Sequence, residues 1–116
     1  MKIKRVKLKD GITTKDLAKA GAVPVDGVMT ILRYFEINNT EYCIAIMVPL
    51  DIKAEDWNDM DWIDIIDTDG GINHYFKTFH VYQKTKEDIP ESSKGLVKLV
   101  SEYNRILSEI PVLVNA

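Results

Sequence analysis

The first ten residues set bases against Ile3, Val6 and Leu8. The offset between Ile3 and Val6 breaks a strict period of two. Residues 2 to 9 therefore predict a kinked edge strand whose lysines discourage further pairing. Asp10-Gly11 predicts a turn and Thr13 or Thr14 a helix cap. Gly21 is placed to follow a helix of about two turns, with Leu17 and Ala20 on its small apolar face. Residues 22 to 27, "AVPVDG", read as a loop punctuated by Pro24 and Asp26-Gly27. β-branched and aromatic residues dominate from Val28 to Ile37, and Glu41 to Val48 is again strongly apolar. Asn38-Asn39-Thr40 between these runs predicts a β-hairpin.

Pro49 ends the second strand of that hairpin. Asp51 can cap a short helix reaching Met60, with Ala54, Trp57 and Met60 three apart on one face. Asp61 to Thr68 predicts a strand, "DTDGG" a turn, and Ile72 to Gln83 a strand pairing back, which makes a second hairpin. The clearest helical stripe is Leu96, Leu99, Val100, Tyr103, Ile106, Leu107 and Ile110. Asp88, Pro90 and Glu91 mark its expected start and Pro111 its end, after which "VLVNA" can add a short strand. The pattern predicts an α+β fold with an antiparallel or mixed sheet of about five strands. Two hairpins and the N-terminal edge strand supply them, a C-terminal amphipathic helix packs on them, and two short helices complete the order. The run 28 to 37 is apolar on both faces, Val28, Leu32 and Tyr34 against Met29, Ile31, Phe35 and Ile37. That predicts cover on both sides, from the short helices or a second subunit.

Composition adds bounds. A chain of 116 residues, 46% hydrophobic and 28% charged, reads as one globular domain over residues 1–116. Such a length buries roughly two-thirds of the unfolded surface and needs no disulfide or metal to fold. The single cysteine, Cys43, has no intramolecular partner, and nothing speaks for an oxidising compartment. "MKIKRVKLKD" lacks the apolar run of a signal peptide, and the longest apolar run, 43 to 50, cannot span a bilayer. A cytoplasmic protein without a membrane partner is expected.

Charge changes the picture most. The net charge is −3, but residues 51 to 69 hold eight acids against Lys53 alone, a local −7. The acids are Asp51, Glu55, Asp56, Asp59, Asp61, Asp64, Asp67 and Asp69, with Trp57 and Trp62 among them. A calcium loop aligned on Gly70 fits at Asp67, Asp69 and Ile72. It fails at Ile65 and Phe76, where two essential carboxylates belong. His74 and His80, on one predicted strand, would lie about 20 Å apart and share no metal. Cys43 sits in "EYCIAIMVPL" as a buried small hydrophobe without cations to activate it. No Walker loop, dinucleotide fingerprint, nucleophile elbow, HExxH or CxxC is present. Non-catalytic function is expected, with no cofactor and no metal.

The N-terminal lysines with Arg5, joined by Lys84, Lys86, Lys94 and Lys98, offer phosphate contacts. Tyr75, Phe76, Phe79 or Tyr82 offer stacking faces, but no RNP-like signature accompanies them, so direct nucleic-acid binding is not the expectation. Caps and turns account for Asp51, Glu55, Asp67 and Asp69. Trp62 should face away from Ile63 and Ile65, beside carboxylates that steer a basic partner. The expected function is an inhibitor or adaptor that binds a basic protein surface through the 51–69 segment, with Glu55, Asp56, Asp59, Asp61 and Trp62 as its site. Such a surface could imitate nucleic-acid charge towards a nucleic-acid-handling protein. The alternative is a small-molecule or nucleotide binder using Tyr75, His74 or His80 on a sheet face or between the subunits of a homodimer.

Overall fold

The computed structural model describes residues 1–51, 63–68 and 74–116. In chain order the elements are β1 (Val6–Leu8), α1 (Thr14–Lys19), β2 (Val23–Val25), β3 (Val28–Ile37), β4 (Thr40–Pro49) and β5 (Ile63–Asp67). They are followed by α2 (His74–Thr85), α3 (Lys94–Glu109) and β6 (Leu113–Asn115). Strands β2, β3, β4 and β5 form one antiparallel sheet in that order, and β1 pairs with β6 in a second. The fold class is α+β, as the periodicities predicted.

The β3–β4 hairpin is the backbone of the large sheet, with ten paired positions running from Val28↔Pro49 to Ile37↔Thr40. Asn38 and Asn39 close it with φ of 51° and 64°. Two consecutive positive φ values match the right-handed twist of the strands, and asparagine tolerates them. The same device recurs at Asp26-Gly27, with φ of 50° and 80°. The stretch expected to be a loop is therefore a second tight hairpin, β2–β3, with Pro24 tolerated because β2 is an edge.

Strand β4 is buried almost throughout because β3 and β5 flank it. Met29, Ile31 and Phe35 of β3 join Ile44, Ile46 and Val48 of β4 and Ile63 and Ile65 of β5 in the core. The helix α3 presents the predicted stripe to this core, every member from Leu96 to Ile110 being buried. Its start lies later than expected, at Ser93, and residues 87–90 form no helix. Ile89 is fully buried there and exchanges two hydrogen bonds of 2.8 Å with Met1. The α1 helix follows the expected caps. Thr13 and Asp16 form a reciprocal capping box, and Gly21 takes φ of 94° after it.

The second predicted hairpin is corrected. Residues 74–85 are the helix α2, not a strand paired with 63–67. Tyr75, Phe76, Thr78, Phe79, Val81 and Tyr82 have β-forming side chains, which is why alternation suggested a strand. Tertiary packing overrides that tendency. Phe79 meets Tyr103 of α3 edge-on, ring centroids 4.9 Å apart, and Gln83 Nε2 donates to Tyr103 Oη at 3.3 Å. Phe76, Phe79 and Gln83 share one face at helical spacing. Strand β5 is observed where expected. The predicted helix at 51–60 and the turn at 69–71 fall largely outside the described residues.

Candidate interaction surface

The pleat decides which side chains leave the core. On β3, Val28, Thr30, Leu32, Tyr34 and Glu36 alternate with the buried positions and point to the opposite face of the sheet. The register sets Glu41, Cys43, Ala45, Met47 and Pro49 of β4 beside them. Asp64 and Ile66 of β5 and Val23 and Val25 of β2 complete this outer face. Both α1 and α3 pack against β3 with their buried residues in the core on the other side. Of the cover expected on both faces, that on the inner face comes from α1 and α3. Among the described residues no helix lies over the outer face.

What the outer face exposes is apolar. Tyr34 is 61% exposed, Val25 53%, Val23 50%, Ile66 43% and Leu32 38%. Isolated exposed apolar side chains are ordinary, but five on one side of one sheet are a concentration of the kind that marks interaction sites. Among the described residues the face carries no lysine or arginine. Its charged members are Glu36, Glu41 and Asp64, and Glu36 stands directly opposite Glu41. Like charges at paired positions weaken a hairpin and leave a local demand for a cation. Glu41 already accepts from Thr68, whose backbone N–H and hydroxyl both reach its carbonyl at 3.0 Å.

Cys43 lies within this face but is buried between its neighbours. Its Sγ contacts the Ile44 carbonyl at 3.7 Å, and burial pushes the thiol above its ordinary range, with a smaller opposing effect from Tyr34. A shift in that direction leaves a thiol with less of the reactive thiolate. The Tyr34 hydroxyl is raised in turn, first by Cys43 and then by burial.

No family model, curated protein or solved structure matches the chain.

Of the residues singled out in the sequence, Glu55, Asp56, Asp59, Asp61 and Trp62 lie outside the described residues. The connection holding them leaves β4 after Pro49, paired with Val28 beside the Asp26-Gly27 turn, and re-enters at Ile63. The acidic segment is therefore attached to the sheet that carries the apolar face, and Asp64 belongs to both. His74, Tyr75 and His80 are on α2 and not on a sheet face, because residues 74–85 are helical. His74 and Tyr75 border an open cavity of about 280 Å³ with the first turn of α3. Phe79 is fully buried and serves as core, so the aromatic platform for nucleic acid is incomplete. No cluster of metal-binding side chains occurs among the described residues. Nor is any of their helices long and apolar enough to cross a membrane.

Proposed function

We propose that this protein is a non-catalytic interaction module that docks a basic-rimmed apolar patch of another protein onto the outer face of its large sheet. The observation that carries this reading is the joining of an exposed apolar face to carboxylates, with no lysine or arginine on that face among the described residues. Tyr34, Leu32 and the β2 valines supply desolvation energy, since each aliphatic side chain fully buried contributes roughly 1.5–3 kcal/mol before association costs. Glu36, Glu41, Asp64 and the −7 segment supply orientation and faster encounter. A second copy of this chain is the poorer occupant. Two-fold stacking with the strands parallel would bring Glu36 and Glu41 of one face against the same carboxylates of the other, and no described residue of the face supplies a cation to either.

Two experiments test the proposal. Sedimentation equilibrium of the wild type should give a monomer. A dimer abolished by Leu32→Ser with Tyr34→Ser would assign the face to self-association and overturn the reading. Affinity capture from extract, followed by direct titration of the captured protein, should identify a basic partner. Its binding should be weakened at least tenfold by Leu32→Ser with Tyr34→Ser and, separately, by Asp56→Asn with Asp59→Asn and Asp61→Asn. Unchanged affinity in both variants would sink it.

A further inference from the structure

Away from the sheet, residues 1–5 lie along the end of α2 and beside α3, fixed by an unusual density of polar bonds. The Lys4 amide donates to Asn104 Oδ1 at 2.7 Å, and Asn104 Nδ2 donates back to the Lys2 carbonyl at 2.9 Å. Arg5 Nη1 donates to the Gln83 carbonyl at 3.1 Å. Between this segment and the end of α2 remains a cavity of about 240 Å³. Its charged walls are Lys2, Arg5 and Lys86 on one hand and Glu87 and Asp88 on the other. Lys2, Lys86, Glu87 and Asp88 form no ion pair with one another, although they border one hollow.

The remaining walls refine the chemistry. Ile3 and the ring of Tyr82 supply apolar surface. Gln83, also in the wall, is 1% exposed, and its Oε1 has no hydrogen-bond partner. An orphaned buried carbonyl is costly unless a donor arrives. Lys86 itself holds φ of 61°, a left-handed conformation that glycine would adopt with less strain. The Glu87 N–H closes the helix by donating to the Tyr82 carbonyl at 3.2 Å, which keeps Lys86 there.

We propose that this cavity binds a small zwitterion, a free α-amino acid with an apolar side chain. A simple anion would meet Glu87 and Asp88, and a simple cation would meet two lysines and a guanidinium. A molecule carrying both charges a few bonds apart satisfies each wall. Its carboxylate goes to Arg5, Lys2 and Lys86, and its ammonium to Glu87, Asp88 and the carbonyl end of α2, where the helix dipole favours positive charge. Its side chain lies on Ile3 and Tyr82. The volume is below the roughly 300 Å³ at which pockets begin to hold drug-sized molecules, so the ligand is compact.

The test uses the full chain labelled with ¹⁵N and three probes: L-leucine, N-acetyl-L-leucine without the ammonium, and L-leucinamide without the carboxylate. L-leucine should shift the amide signals of residues 2–5 and 82–88 saturably. Each blocked probe should bind about tenfold more weakly, the loss of one charge-assisted contact. The variants Lys86→Gly and Asp88→Asn, both at exposed positions that leave the core intact, should each weaken L-leucine to a similar degree. Absence of shifts with millimolar L-leucine would overturn the inference. Equal binding of a blocked probe, or displacement of L-leucine by inorganic phosphate alone, would do so too.

Discussion

A single residue can carry two opposed demands, and Lys86 does. Holding a lysine in the left-handed region costs about 1 kcal/mol relative to glycine. Chemical denaturation of Lys86→Gly should accordingly report a protein more stable by about that amount, while its affinity for L-leucine falls. Asp16 makes a second residue-scale case. The Thr13 backbone N–H, and then its hydroxyl, hold the Asp16 carboxyl below its ordinary value of 3.8. A carboxylate depressed in the folded state stabilises the fold above its unfolded value, and that contribution is lost as pH falls through the folded one. Acid unfolding followed by circular dichroism should therefore show a loss below about pH 4 that Asp16→Asn flattens. Much at this scale was legible beforehand. Thr13 at the cap, Gly21 after the helix and Asp10-Gly11 at a turn follow from local backbone chemistry, which needs no knowledge of distant neighbours. Asp26-Gly27 was recognised as punctuation, but its role as a hairpin turn depended on β2, whose three residues hold too little pattern to announce a strand.

Whole elements were legible where one periodicity ran unopposed, as in the α3 stripe and the β3–β4 hairpin. Helix α2 shows the reverse case. Its aromatic and β-branched side chains favour strands locally, and only docking against α3 makes them helical. That docking rests on a buried polar pair whose removal is asymmetric. Tyr103→Phe takes from the Gln83 side chain its Oη contact and should cost about 1–3 kcal/mol in urea denaturation. Gln83→Leu with Tyr103→Phe removes the amide as well and should recover most of that loss. The β3–β4 hairpin offers an independent check. Glu36→Lys turns a like-charge pair into an attractive one and should stabilise the fold by about 0.5 kcal/mol. The same change should weaken the proposed partner, so stability and binding would move in opposite directions.

On the scale of the molecule, the acidic pole could be counted directly from the sequence, whereas the face turned away from α1 and α3 could not be placed. Alternation marked β3 as apolar on both sides, but a pattern along one strand does not say from which side helices will arrive. The packing places α1 and α3 on the same side. The segment with Trp62 and its flanking acids lies outside the described residues, so the sheet alone carries the structural argument for a docking surface.

The pairing of β1 with β6 has a mechanical consequence. Arg5 accepts from the Ala116 N–H at 3.0 Å, and Val6↔Asn115, Lys7↔Val114 and Leu8↔Leu113 follow inward. Force applied at Arg5 and Ala116 would load these pairs one after another, as a zip, rather than all together in shear. The seam should part at low force while the four-stranded sheet and its core still hold. A partner or surface that tugged on both flanks would uncover Val6, Leu8 and Leu113 first, leaving the outer face of the large sheet untouched.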